Sequence, residues 1–144
     1  MVILDTDHMT LLEWARGAEA SRLRARLDQV APEERVTTII SFEEQTRGWL
    51  GFAAKARSVA DEVEAYRRLS NHLAIYRAMA VLDFDERAAV EYQRLRQAKI
   101  RVGPMDLKIA AIALAHDATL LSRNLRDFER VPGLKVEDWT AEQA

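Results

Sequence analysis

Short apolar runs alternate with longer amphipathic stretches along this chain. Val2–Leu4 is wholly apolar and stops at a carboxylate, which predicts a buried strand. Thr6 or Asp7 then suits the cap of a helix carrying Met9, Leu11, Leu12 and Trp14. Ala18 to Val30 predicts a second helix, with Leu23, Leu27 and Val30 on one face. Pro32 to Arg35 predicts a turn. Val36 to Ile40, VTTII, is β-branched throughout and predicts a strand. Ser41 stands as the cap of the next helix, with Glu44 three residues on in the spacing of a capping box. Residues 53–78 predict a long helical region, polar over much of its surface, with a break near Ser70 and Asn71.

Ala80 to Leu82 predicts a further short strand and Asp85 to Lys99 a helix. Gly103-Pro104 opens the most apolar helix, MDLKIAAIALAHD. Thr119 to Leu121 predicts a strand, Arg123 to Arg130 a short helical turn, and Leu134 to Val136 a last strand. There is no repeat, linker or low-complexity tract. Strands that alternate with helices predict a mostly parallel sheet covered on both faces. Sites in such sheets form outside the carboxyl ends of the strands.

Composition narrows the setting. With 144 residues, 49% hydrophobic and 31% charged, positions 1–144 are expected to form one domain with a real core. The absence of cysteine excludes disulfides and thiolate metal sites, and fits a reducing cytoplasm. No apolar run approaches the roughly 20 residues of a membrane helix. No basic region precedes the first apolar run, so no signal peptide and a cytoplasmic location are expected. The formal net charge of −2 means that nucleic acid would have to be met by a local basic patch or a metal.

The rule for parallel sheets gathers the acids. Asp5 and Asp7 follow the first strand, and Glu43 and Glu44 follow VTTII. Asp106 lies in the first turn of the apolar helix, and Asp127 lies a few residues after the strand at Thr119. Glu137 and Asp138 close the last strand near the chain end. Taken singly, Asp7 and Glu44 serve as helix caps and Asp106 favours a helix N-terminus. Brought to one edge together, these carboxylates repel, and in low dielectric some must take up protons. A divalent cation removes that conflict. Mg²⁺ is hard and prefers oxygen ligands, so the pattern points to a metal site rather than an acid–base dyad.

The three histidines add little to this picture. His8 is expected to be a solvated residue at a helix start, His72 lies in a polar helical face, and His116 ends a helix. No two of them pair, which speaks against metal-free chemistry with two histidines. In GWLGF, Trp49, Leu50 and Phe52 are expected in the core, with a partner or dimer surface as the second reading.

Three stretches carry a family likeness. VILDTDHMT, TTIISFEEQTRGWL and VGPMDLKIAAIALAHDATLLSRNLRDFERVPGLKVEDW resemble the successive motifs of PIN domains, most of all the VapC toxins of bacterial toxin–antitoxin pairs. The resemblance runs nearly end to end, with residues 58–95 contributing only a helical pattern. Its most specific part is the helix D-L-x-I-A-A followed by S-R-N-x-x-D-F-x-R-V-P-G-L. It implies a PIN-like three-layer α/β/α sandwich with a mostly parallel central sheet. The family's four catalytic, metal-binding acids fall on Asp5, Glu44, Asp106 and Asp127. Glu43 doubles Glu44, and a helix turns about 100° per residue, so only one of the two points inward. Asp7 stands where the family often has asparagine or serine, as an outer ligand or a cap. Ser122 stands where the family often has threonine, a hydroxyl that supports the acids. Asn124 stands where some members have aspartate, and is expected to meet substrate or a bound water.

The resemblance implies an endoribonuclease dependent on Mg²⁺ or Mn²⁺. A divalent cation neutralises the phosphodiester, lowers the pKa of water and inverts the local charge so that RNA approaches. Attack by water leaves a 5′-phosphate. Arg47, Arg123 and Arg126 lie near the acids in sequence and are candidates for the RNA backbone. The implied partners are a VapB-like antitoxin and a second copy of the chain as a homodimer, with operator DNA met only through the antitoxin and no membrane. The alternatives are a free-standing PIN nuclease without antitoxin, a DNA nuclease of related architecture, a non-enzymatic domain that kept the fold, and a haloacid dehalogenase-like phosphatase. The last draws on the D-x-D of VILDTD, but Met9 stands where that family has threonine or valine. The presence of all four acids argues against a decayed, non-enzymatic domain.

Overall fold

A computed structural model describes residues 1–14 and 16–143. The elements run Val2–Leu4 (β1), Thr6–Trp14 (α1), Ala18–Leu27 (α2), a 3-10 turn at Pro32–Glu34, Arg35–Thr38 (β2), Ile39–Ala54 (α3), Val59–Arg77 (α4) and Ala80–Leu82 (β3). Glu86–Gln97 (α5), Pro104–Ala115 (α6), Thr119–Leu121 (β4), Leu125–Phe128 (α7) and Lys135–Glu137 (β5) follow. The five strands form one sheet in the order β3-β2-β1-β4-β5, and every neighbouring pair is parallel. Val2 stands level with both Arg35 and Thr119, so β1 is the central strand and all carboxyl ends share one edge.

Alternation along the short strands divides the core between two faces. Ile3, Val36 and Leu120 pack with α5, α6 and Phe128 on one side. Leu4 and Leu121 pack with Met9, Leu23, Leu27, Tyr76 and Trp139 on the other. The result is three layers, helix on sheet on helix, as the resemblance implies. Helix α6 is apolar on every side beyond Lys108 because Leu107 and the whole run Ile109–Ala113 are buried between α5 and the sheet. No helix among the described residues is long and apolar enough to cross a membrane.

Several boundaries differ from the sequence expectation, each for a local reason. Strand β2 ends at Thr38, and Ile39 and Ile40 already belong to α3. The Thr38 hydroxyl accepts the Ser41 N–H at 3.1 Å and caps the helix. Ser41 is therefore a buried residue inside the first turn, and no Ser41–Glu44 capping box forms. The long helical region divides earlier than expected. Ala53 and Ala54 finish α3, and Ser58 caps α4 by accepting the Asp61 N–H at 3.1 Å. Helix α4 then runs through Ser70 and Asn71 without a break, because both face solvent and leave the backbone ladder alone. Helix α2 stops at Leu27, three residues short of Val30, and β5 lies one residue later than expected.

Candidate active site

The acids are best built from the strand that delivers them. Asp5 directly follows β1, and its N–H donates to Leu121 O at 2.9 Å, which extends the pairing with β4 by one step. Its side chain is only 5% exposed. One carboxylate oxygen accepts the Thr6 N–H at 2.8 Å and the other accepts the Ser122 hydroxyl at 2.7 Å. Burial nonetheless pushes the carboxyl up to about 7, and the charges of Asp7 and Asp106 push the same way against those two bonds.

Glu44 reaches the same edge from α3. The Thr6 hydroxyl donates to its Oε1 at 3.1 Å. Burial raises its pKa, the Thr6 bond lowers it, and Asp106 and Glu43 raise it further. Glu43 points elsewhere: its carboxylate meets Arg47 at 2.6 Å, one turn along the same helix. Of the doubled glutamates, Glu44 stands beside Thr6 and Glu43 lies on the outer face.

Asp106 stands in the first turn of α6, and Asp127 in α7. Asn124 lies between them, its amide nitrogen 3.0 Å from Asp127 Oδ2 and 3.5 Å from Asp106 Oδ2. Burial raises the Asp106 pKa, Asp127 and Asp7 add to the rise, and Asn124 opposes it. Asp127 also lies 3.4 Å from Arg130 at the rim. Asp7 belongs to the same edge. Its Oδ2 accepts the Arg123 N–H at 3.0 Å and lies 3.4 Å from the Ser122 hydroxyl.

Three bonded groups result: Asp5 and Asp7 around Ser122, Glu44 on Thr6, and Asp106 and Asp127 around Asn124. Asp106 raises the cost of ionising both Asp5 and Glu44, and Asp7 raises that of both Asp5 and Asp106. Among the described residues no three of these side chains stand together as a ready set of metal ligands. Their chemistry still fits a hard cation. The donors are carboxylate oxygens, and no cationic side chain is among the influences on Asp5, Glu44 or Asp106.

Two histidines depart from expectation. His8 is completely buried rather than solvated, because the segment after β5 covers it: Nδ1 lies 2.7 Å from Asp7 Oδ1, and Nε2 receives the Trp139 N–H at 3.2 Å. His72 faces inward from α4, stacked on Phe42 with ring centres 5.2 Å apart and bonded to the Thr46 hydroxyl. Burial lowers its pKa. Thr6 is the residue that the sequence reading passed over except as a cap. The one signal for it was its place between two acids.

The aromatic stretch of α3 is only partly core. Trp49 is half-buried against Trp14 and Phe52, while Leu50 is 52% exposed and Phe52 42% exposed. A cavity of about 410 Å³ lined by Thr10, Trp14, Gln45, Gly48, Trp49 and Phe52 lies one helical turn beyond Thr6 and Glu44. Arg47, Arg123 and Arg126 are exposed, the first paired with Glu43 and the second 3.7 Å from Glu19.

Comparison with known proteins gives the arrangement its context. A family model described as PIN domain matches residues 2–134. Over 65 residues the chain is 40% identical to a tRNA(fMet)-specific endonuclease VapC of Salmonella typhimurium, a match covering 42% of this chain and 49% of that protein. The chain thus spans about half the length of that relative. Over 120 residues it is 27% identical to a ribonuclease VapC1 of Haemophilus influenzae, covering 80% of this chain and 82% of that one. Among solved structures, DNA-bound VapBC from Salmonella typhimurium superimposes with a TM-score of 0.71 at 27% identity, over 96% of this chain and 97% of that chain.

Proposed function

Because the chain belongs to the PIN-domain family, we propose that residues 1–144 act as one metal-dependent endoribonuclease domain, the toxin of a pair restrained by a VapB-like antitoxin. The observation that carries this reading is the gathering of Asp5, Glu44 and Asp106 at one sheet edge, each held above its ordinary pKa with no cation to offset it. Asp127, bonded to Asn124 beside Asp106, completes the set. These four acids would hold Mg²⁺ or Mn²⁺. When bound, the cation neutralises the phosphodiester and lowers the pKa of the attacking water.

The chain's own residues prepare that site. Ser122 and the Thr6 N–H hold the two oxygens of Asp5, and the Thr6 hydroxyl holds one oxygen of Glu44. Asn124 spaces Asp106 from Asp127 and has its backbone N–H tied to the Ser122 hydroxyl at 3.0 Å. Such bonds fix carboxylate rotamers before any ligand arrives. RNA as substrate is supported by the ribonuclease names of the relatives. DNA binding left to the antitoxin accords with a net charge of −2 and with the DNA-bound VapBC likeness, and a homodimer is what the family resemblance implies.

The test is cleavage of RNA by the purified chain with Mg²⁺ or Mn²⁺, with EDTA, and after co-expression with any short reading frame that the genome carries beside its gene. The expected results are cleavage with either metal, none in EDTA, and none in the complex. Cleavage by the co-expressed material at the rate of the free chain would favour a free-standing PIN nuclease instead.

A further inference from the structure

His8 is buried beside the acidic edge, and nothing in the proposed chemistry uses it. Its ring is held from two sides. A backbone N–H can only donate, so the Trp139 N–H at 3.2 Å makes Nε2 the accepting nitrogen. The ring proton then sits on Nδ1, 2.7 Å from Asp7 Oδ1. The other candidate for Nε2 is Asp138, whose Oδ1 is 3.8 Å away. That is too long for a hydrogen bond, and the same oxygen already accepts the Thr140 N–H and hydroxyl at 2.8 and 2.6 Å. The arrangement therefore suits the neutral ring with its proton on Nδ1.

Asp7 passes this constraint onward. With Oδ1 taken by His8, its Oδ2 accepts the Arg123 N–H at 3.0 Å and faces the Ser122 hydroxyl at 3.4 Å. That hydroxyl donates to Asp5 at 2.7 Å and accepts the Asn124 N–H at 3.0 Å. A rotation of Asp7 would leave the Arg123 N–H without its acceptor and loosen, between Ser122 and Asn124, a turn that the Ser122 N–H to Glu137 O bond at 2.9 Å still anchors to β5. A leucine would fill the volume of His8 but could neither hold Asp7 nor accept from Trp139.

We propose that His8 is a positioning residue: its Nδ1–H locks Asp7, and through Asp7 the Ser122–Asn124 turn, so that the acids are set for a divalent cation. This rests on the metal-dependent reading above. The bond to Asp7 serves the site, and the bond to Trp139 serves the packing of the segment after β5.

Two measurements separate those roles. The first is Mn²⁺ affinity by calorimetry, beside thermal unfolding, for wild type, His8→Leu and His8→Asn. Asparagine places an amide N–H near the position of Nδ1 and cannot reach Trp139. His8→Leu is expected to lose about 10–100-fold in Mn²⁺ affinity, the usual cost of removing an outer partner of a metal ligand, with His8→Asn restoring most of it. Both variants should lose thermal stability alike. Equal Mn²⁺ affinity in wild type and His8→Leu, or no rescue by asparagine, would overturn the proposal. A wild-type chain that binds no Mn²⁺ would overturn the metal reading and this one with it. The second measurement needs no variant. Long-range ¹H–¹⁵N spectra of the wild-type chain should show the His8 ring protonated on Nδ1, and a proton on Nε2 would overturn the network.

Discussion

Thr6 serves two acids at once: its backbone N–H donates to Asp5 at 2.8 Å and its hydroxyl to Glu44 at 3.1 Å. The residue lies in the first position of α1, where the N–H has no partner inside the helix. One side chain thus ties the end of β1 to α3. Thr6→Val keeps the shape and the N–H but removes the hydroxyl, leaving Glu44 free to rotate. Cleavage should fall about 10–100-fold, as for other partners of metal-binding carboxylates. Thr6→Ser should recover most of the rate in the same RNA assay. A valine variant as active as wild type would show that Glu44 needs no such restraint.

Asp5, Glu44 and Asp106 should fail separately, and the neighbouring Glu43 should not. Asp5→Asn, Glu44→Gln and Asp106→Asn each remove one negative oxygen at constant size. Each is expected to lower cleavage by about 100-fold or more while circular dichroism stays unchanged. Glu43→Gln breaks only the exposed pair with Arg47, which contributes about 0–1 kcal/mol, so its activity should match wild type. Full activity in Asp106→Asn would remove that residue from the set, and equal loss at Glu43 would reverse the choice between the glutamates.

Those glutamates also show how far the residues alone could be read. Helix periodicity said that one of the two turns inward, but the phase depends on where α3 begins. The β-branched run VTTII favours a strand throughout, and its last two residues pass to the helix because Thr38 captures the Ser41 N–H. A local signal was available in Arg47, four residues after Glu43, a spacing that favours an outward ion pair. The strand at Val2–Leu4 was legible because it is apolar through its whole length, and the helix at Pro104–Ala115 because every residue after Lys108 is apolar. The burial of His8 was not, since the backbone that covers it lies 131 positions away. Only the order of the strands brings the two together.

The raised carboxyls make a pH prediction. Asp5 moves from 3.8 to about 7 on folding, so the folded chain binds its proton more tightly than the unfolded chain. The stability this supplies is fully present below about pH 4 and is lost as pH rises through about 7. Glu44, Asp106 and Glu13 are raised too and act in the same direction, while His72, lowered by burial, opposes them but is one group against four. In EDTA, the unfolding temperature should therefore fall from about pH 5 to about pH 8, by about 2–4 °C for each kcal/mol lost. Asp5→Asn, which has no charge to bury, should flatten the fall and be the more stable protein at the upper end. Saturating Mg²⁺ should flatten it in the wild type by taking the place of the proton. Calorimetry across that range, with and without metal, checks all three; a flat profile for the metal-free wild type would mean that Asp5 ionises freely in the folded chain.

The same unpaired charge says how an antitoxin would act. A guanidinium binds two carboxylate oxygens at once through parallel N–H donors, and carboxylates without a cation are its natural target. An antitoxin arginine seated among Asp5, Glu44 and Asp106, with Asp127 and its Arg130 at the rim, would occupy the oxygens that a metal needs. Its contribution alone is small if solvent reaches it, since an exposed ion pair is worth about 0–1 kcal/mol. The antitoxin must therefore also bury apolar side chains on the toxin, and the arginine decides inhibition more than affinity. Two outcomes follow for the purified complex. It should bind Mn²⁺ far more weakly than the free chain. Replacing the arginine by alanine should restore Mn²⁺ binding and RNA cleavage while the two proteins still co-purify. If the alanine variant of the antitoxin inhibits as well as the original, the block is steric and the acids are not its target.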